Sequence, residues 1–418
     1  MNISLTQTEN IHADVLLKIS GSKSETNRLL ILQAFYPDLS LKNASDSDDS
    51  VILRKAIDQL KKNKKTVIDV GHAGTAMRFL TAYCAIQEGL DVVLQGSERM
   101  NNRPIGALVE ALQEMGATIT YLNKEGFPPL HIQGSKINQN KVKISASQSS
   151  QFVTALLLIA PALPQGLQIE LSDTITSESY LELSLNILQR LGIEVERNQN
   201  HIYVAPKSKL APIPYTVESD WSSLSYYYGL LALLPNGKIR FKYYSAKSFQ
   251  GDSVLKDIYL QFGVLTEFDS EQYQVTLTRV PTNYPDLIKL NLIRTPDIGQ
   301  TIAVTCAGLG IPCVLEGLHT LKYKETDRLV ALKTELEKLG VTSSVSDTTF
   351  TMQATNKLRA DVAIATYQDH RMAMSFAPLA AKINLIIEDA SVVSKSYPEF
   401  WNHFQALGVK CKFVSQKS

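Results

Sequence analysis

The 418 residues are 44% hydrophobic and 20% charged, enough to bury sizeable cores and too apolar for bulk disorder. A formal net charge of +1 excludes binding of nucleic acid through a general basic excess, so an anionic partner must be met by local clusters. The four cysteines, Cys84, Cys306, Cys313 and Cys411, form no Cys-x-x-Cys pair and sit among apolar neighbours, the pattern of buried thiols in a reducing cytoplasm.

From the N-terminus, Met1–Asn10 is polar and lacks the apolar core of a signal peptide. Gly21 to Arg28 (GSKSETNR) precedes the apolar LLILQAF: small residues at a helix start expose amide N–H groups, and Lys23 and Arg28 add charge. An N-cap with a lysine nearby is the ordinary alternative. Gly71 to Arg78 (GHAGTAMR) places two glycines around small residues, which allows close backbone approach to a ligand, and Arg103-Pro104 opens another helix. Ser147 to Phe152 (SQSSQF) sets three hydroxyls and two amides ahead of an apolar helix, suited to a phosphate or a polyol, though capping alone needs only one of them. The apolar run from about 152 to 163 is too short to span a bilayer and is broken by Pro161. Further polar runs lie at Thr176 to Tyr180, Asp220 to Ser223, Gln250 to Asp252, Pro296-Asp297, Lys324 to Arg328 (KETDR), Gln368 to Met372 (QDHRM) and Lys395 to Pro398. In KETDR a helix start would put Lys324 and Arg328 on one face, with Glu325 near the amide-rich first turn. His370 beside Asp369 is not part of a nucleophilic triad, because no Gly-x-Ser-x-Gly elbow accompanies it. The seven histidines show no metal-ligand spacing, and no dinucleotide fingerprint is present.

A pattern recurs along the chain: a helix ending near Leu-Gly or Met-Gly, a strand, a polar turn and another strand. It is clear over Glu110–Gly134, Asn186–Pro206, Asp257–Thr278 and Thr334–Ala354, truncated over His403–Val414, and degenerate over Leu53–Val70, where Lys61–Lys65 replaces the glycine turn. Gly116, Gly192, Gly263, Gly340 and Gly408 mark its period. Each glycine ends a helix in a left-handed turn. Six units then make two domains of three, divided near Ala205–Thr216, whose Pro and Lys content reads as a linker. The last copy stops after one strand, so Asn2–Lys18 is expected to supply another. That makes the second domain discontinuous, with 1–18 plus 219–418 against 19–218. A cleft between such domains is the default place for a ligand.

The cations Lys23, Arg28, Arg103, Lys324, Arg328, Arg371 and Lys395, the Ser/Thr/Gln caps and a few carboxylates suit two anionic substrates handled by acid–base chemistry. The stretches GSKSETNR, HAGTAMR, ERMNNRPIG, SSQFVTALL, TSESYLEL, KYKETDRL, YQDHRMAM and SKSYPEF, in this order over nearly the whole chain, resemble the 3-phosphoshikimate 1-carboxyvinyltransferase (EPSP synthase) family. The resemblance implies an α/β fold of two similar domains, each of three repeated βαβαββ units (an inside-out α/β barrel) with a hinge between them. It implies transfer of the enolpyruvyl group of phosphoenolpyruvate to the 5-hydroxyl of shikimate 3-phosphate, on the route to chorismate and the aromatic amino acids. It implies no cofactor, no metal, no nucleic-acid or membrane partner, and a cytoplasmic monomer.

Carried over by position, the resemblance gives Lys23 to both substrates. It gives Ser24, Arg28, Ser149, Ser150, Ser177, Tyr180, Asp297 and Lys324 to shikimate 3-phosphate, and Gly74, Arg103, Gln151, Arg328, Arg371 and Lys395 to phosphoenolpyruvate. Of the two domains, it makes 19–218 the shikimate 3-phosphate side and 1–18 plus 219–418 the phosphoenolpyruvate side. Asp297 would take the proton of the attacking hydroxyl, and Glu325, assisted by Lys23, would exchange a proton with the methylene carbon. Four positions depart from the family pattern: His72 and Thr320 stand where Asn is usual, Phe79 replaces Pro, and Trp221 replaces a small residue. A related transfer to a UDP-sugar fits less well, since the first loop reads Lys23-Ser24 and the 96–103 region holds no Cys. A non-catalytic clamp of six repeats around a polymer is disfavoured by the net charge of +1.

Overall fold

The computed structural model describes residues 1–12, 14–145, 149–173, 178–212 and 214–414. It divides into two units, Met1–Ser20 with Glu218–Ser418, and Gly21–Val217. Among the described residues no helix is long and apolar enough to cross a membrane.

The repeat becomes one sheet built five times. Lys65–Asp69 runs parallel to Asp91–Gln95, which pairs antiparallel with Leu130–Gln133, and that strand pairs antiparallel with Thr118–Tyr121. The same order of one parallel and two antiparallel pairings recurs from Lys141–Ile144, from Val15–Leu17 and from Ile288–Asn291. In the fifth sheet Val362–Ile364 runs parallel to Leu385–Ile387, and the next strand is Asn2–Thr6, which also pairs with Lys410–Val414. The chain start therefore fills the place that the truncated last copy leaves open. The five glycines of the period all have positive φ, from 74° to 105°, the left-handed turn that lets each outer helix stop and its strand begin.

Two expectations are corrected. The degenerate copy over Leu53–Val70 does not close a sheet of its own: its strand Lys65–Asp69 is the parallel edge of the following sheet. Among the described residues the sixth sheet is the parallel pair Ser40–Lys42 with Pro214–Thr216. Asp48–Lys62 ends at Asn63 in extended backbone (φ −130°) instead of a left-handed turn, and the chain runs directly into Lys65–Asp69. The segment near Ala205–Thr216 is likewise no free linker. Tyr36 Oη donates to the Lys207 carbonyl (2.8 Å), Lys207 Nζ donates to the Gly192 carbonyl (3.0 Å), and Leu210 is buried.

Each repeat pairs a buried helix with an outer one. Trp221–Leu233 is buried along its whole length, and Gly74–Ala85, Ser150–Ile159 and Gly299–Leu309 nearly so, which is why their sequences lack a polar face. The outer helices Asp48–Lys62, Glu178–Arg190 and Arg328–Lys338 bury one stripe, such as Leu53, Ala56, Ile57 and Leu60. The polar runs of the sequence fall at or just before the N-termini of these helices, where amide N–H groups lack intrahelical partners.

Candidate active site

In the unit containing Glu218–Ser418 the runs converge on Arg328. Its side chain is 2% exposed. Nε donates to Asp369 Oδ2 (2.7 Å), Nη1 to Asp297 Oδ1 (2.9 Å), and Nη2 to Glu325 Oε2 (2.8 Å). Burial alone would lower the affinity of Arg328 for its proton, but Asp369, Glu325 and Asp297 together outweigh it and hold the group well above its ordinary value. Lys324 Nζ approaches the same Asp297 Oδ1 at 3.4 Å. Arg371 donates through Nη1 to the Asp297 carbonyl (3.0 Å) and through Nη2 to Ser222 Oγ (3.2 Å). Lys324, Arg328 and Arg371 thus meet the carboxylates Asp297, Glu325 and Asp369 in one network. Its electrostatics are near neutral, so an arriving anion competes with carboxylates already in place.

Local sequence explains these placements, with one correction. The helix begins at Arg328, so Lys324 and Glu325 lie ahead of it and share no helical face with Arg328. Asp327 intercepts the chain as the N-cap, its Oδ1 accepting from the amides of Leu329 and Val330 (both 3.2 Å). Asp369 caps the helix His370–Phe376 through the Arg371 amide (2.8 Å) while also holding Arg328. Just before it, Tyr367 and Gln368 both have left-handed φ, 53° and 56°, an unfavourable state for side-chain-bearing residues. Tyr367 Oη donating to Glu335 Oε1 (2.7 Å) and Lys395 Nζ donating to the Gln368 carbonyl (2.8 Å) hold this turn. His370, read from sequence only as no triad member, brings Nδ1 to 4.0 Å from Glu325 Oε1.

The unit Gly21–Val217 assembles its own group. Lys23 is the first residue of the helix Lys23–Phe35 and lies 3.8 Å from Asp49 Oδ2. Arg28 is buried: Nε donates to Ser184 Oγ (2.8 Å), Nη1 to the Ser24 carbonyl (2.7 Å) and Nη2 to the Tyr180 carbonyl (3.0 Å). Burial pulls it down to about 10, against the raising effect of Tyr180 and Glu25. Phe79 packs against Arg28, with the guanidinium carbon 5.8 Å from its ring centre. Ser149 caps Ser150–Ile159 by accepting from the Gln151 amide (3.2 Å), and Gln151 Nε2 donates to Thr75 Oγ1 (3.3 Å), joining two helix starts. Ser150 is buried beside them. Ser177 lies outside the described residues.

Around Gly74 stand two guanidinium groups. A Cβ there would come within 2.4 Å of Arg103 Nη1 and 3.1 Å of Arg78 Nη1, so a bare backbone is what lets them approach. Arg78, not singled out from sequence as a site residue, donates to the carbonyls of Gly74 (3.1 Å) and Pro104 (2.9 Å), tying the Arg103 loop to the helix start. Burial and then Arg103 hold Arg78 well below its ordinary value. The four departures divide. Trp221 is fully buried, its Nε1 donating to Glu218 Oε1 (2.9 Å). Phe79 is core. His72 Nδ1 meets Ser97 Oγ at 2.8 Å. Thr320 Oγ1 is buried and finds no hydrogen-bond partner among the described residues.

The model of one family, EPSP synthase (3-phosphoshikimate 1-carboxyvinyltransferase), matches residues 37–404. The 3-phosphoshikimate 1-carboxyvinyltransferase of Bacteroides fragilis (strain YCH46) is 40% identical over 402 residues, covering 95% of this chain and 96% of that one. This chain belongs to the EPSP synthase family. The 3-phosphoshikimate 1-carboxyvinyltransferase of Vibrio cholerae serotype O1 (strain M66-2) is 34% identical, covering 97% of this chain and 99% of that one. A solved EPSP synthase structure from Acinetobacter baumannii superposes with a TM-score of 0.81 at 18% identity, over 99% of this chain and 100% of that one, a likeness of fold. The family's reaction moves the enolpyruvyl group of phosphoenolpyruvate to shikimate 3-phosphate, a step of the shikimate pathway to aromatic amino acids.

Proposed function

We propose that this chain carries out its family's transfer using the two groups of residues above. The observation that carries the reading is the Arg328 network, which holds Asp297, Glu325, Lys324 and Arg371 together. Shikimate 3-phosphate is held by Lys23, Ser24, Arg28, Ser149, Ser150, Ser177, Tyr180 and Lys324. Phosphoenolpyruvate is held by Lys23, Gly74, Arg103, Gln151, Arg328, Arg371 and Lys395, where planar guanidinium forks fix its carboxylate and phosphate in both place and orientation. Asp297 takes the proton of the 5-hydroxyl as its oxygen attacks the enol carbon. Glu325 gives a proton to the methylene carbon, forming the tetrahedral intermediate. Expulsion of phosphate, with return of a methyl proton to Glu325, restores the double bond. Lys23 and Arg103 offset the charge of the departing phosphate. The protein acts as a cytoplasmic monomer.

The test is phosphate release by the purified chain supplied with both substrates, with loss of signal when either is omitted. Folded protein without activity overturns the reading. For the proton-transfer role, Glu325→Gln should lower kcat by at least roughly a hundredfold while KM values change by less than about threefold. Equal losses in binding and turnover would contradict it.

A further inference from the structure

The run Gln250-Gly251-Asp252 has no part in the reaction outlined above, yet it is fastened to the start of Trp221–Leu233. Gln250 Oε1 accepts from the Trp221 amide (3.0 Å), and its Nε2 donates to the Ser219 carbonyl (2.9 Å) and to Glu218 Oε2 (3.2 Å). Asp252, 8% exposed, accepts through Oδ2 from Ser222 Oγ. That hydroxyl accepts in turn from Arg371 Nη2 (3.2 Å). The polarity runs one way, from guanidinium to hydroxyl to carboxylate. The other terminal nitrogen of Arg371 is held by the Asp297 carbonyl (3.0 Å). Two anchors on different elements leave a planar fork little freedom to rotate.

Packing alone does not call for a carboxylate at this place. An ionised group taken out of water is unfavourable, and a neutral amide would fill the same volume. Burial pushes Asp252 up to about 6. Arg371 acts against that shift, while Asp297 and Asp220, which face it from two other elements, add to it. We propose that Asp252 is a positioning residue, which through Ser222 Oγ fixes the guanidinium of Arg371 in the orientation that receives the carboxylate of phosphoenolpyruvate. The proposal rests on the assignment of Arg371 to that substrate.

The experiment is steady-state kinetics of the full chain carrying Asp252→Asn, Ser222→Ala, both together, or Arg371→Gln, between pH 5.5 and pH 9. Asp252→Asn and Ser222→Ala should each raise KM for phosphoenolpyruvate about tenfold and alter kcat by less than about threefold. KM for shikimate 3-phosphate should stay the same. The double variant should be no worse than the more damaging single variant, because one removes the hydroxyl and the other the charge of the same chain of bonds. The substrate's own phosphate titrates near pH 6 in every variant, so the informative quantity is the difference between wild type and Asp252→Asn. That difference should be full above pH 7 and shrink as acid neutralises Asp252 in the wild type. An unchanged KM for phosphoenolpyruvate in both folded single variants, or an equal rise for both substrates, overturns the proposal. Arg371→Gln separates the two layers. If it raises KM for phosphoenolpyruvate while Asp252→Asn does not, the positioning role fails alone. If it leaves that KM unchanged, the underlying assignment fails.

Discussion

Replacing Arg328 by Met keeps most of the side-chain stem and removes the charge at the centre of the network. Asp369, fully buried, loses the donor at 2.7 Å, and Asp297 is left with Lys324 at 3.4 Å and Arg371 at 3.9 Å among its ion-pair partners. Removing one partner of a buried ion pair costs about 3–5 kcal/mol, because the remaining charge stays out of water. One cation serves all three carboxylates, so that figure applies once to the cluster and not to each pair. For a unit of this size a kcal/mol moves the midpoint by roughly 2–4 °C, giving a fall of roughly 6–20 °C. Arg328→Lys keeps the charge but not the planar fork and cannot reach three carboxylates at once, so it should fall between wild type and Arg328→Met. Scanning calorimetry on all three proteins at one pH measures both differences. A fall of less than about 2 °C for Arg328→Met would refute the reasoning, since it lies below any shift that a buried, uncompensated carboxylate permits. A Lys variant equal to wild type would refute the part that rests on geometry.

Gly74→Ala should raise KM for phosphoenolpyruvate at least about threefold with little effect on stability. The new Cβ meets Arg103 Nη1 at 2.4 Å, while the helix itself tolerates alanine, and kinetics beside a melting curve separate the two. Asp252→Asn should be more stable than wild type at pH 8. The folded carboxyl sits at about 6 against an ordinary 3.8, so the folded protein loses stability as pH rises through this range. At 1.36 kcal/mol per pKa unit the advantage of the variant is up to about 3 kcal/mol above pH 6, and it vanishes by about pH 4. Urea unfolding at both pH values checks the sign, and an advantage that grows toward acid contradicts it.

Much of the fold was legible because the repeat writes itself in local chemistry. A glycine with left-handed φ ends an outer helix in five copies, and alternating strands follow. The sixth sheet was not legible in this way, since Asp48–Lys62 ends without such a turn and its sheet joins Ser40–Lys42 to Pro214–Thr216, far apart in sequence. The site was legible as a set of polar helix starts, but the pairing of its members was not. Nothing in KETDR says that Asp297 and Asp369 will share Arg328, or that Asp327 will take the cap and move the helix start to residue 328. The partners of Asp252 and Arg78 were hidden for the same reason. Each acts through partners distant in sequence, Ser222 for one and Pro104 for the other.

The carboxylates already bound to Arg328 bear on how Glu325 obtains its proton. The bonds to Asp369, Asp297 and Glu325 engage four of the five N–H groups of Arg328, so a carboxylate of phosphoenolpyruvate held there by two N–H groups displaces a resident carboxylate. Glu325 is the least costly to displace, because its side chain is 32% exposed, against 7% for Asp297 and none for Asp369. Once displaced, Glu325 loses the Arg328 guanidinium as its ion-pair partner and gains an anionic neighbour. The pH dependence of kcat reports the bound enzyme and that of kcat/KM the free enzyme. The alkaline limb of kcat should therefore lie at higher pH than that of kcat/KM for phosphoenolpyruvate, and Glu325→Gln should abolish the limb in kcat. Coincident limbs would mean that Glu325 keeps its Arg328 bond throughout, and the proton must then come from another group.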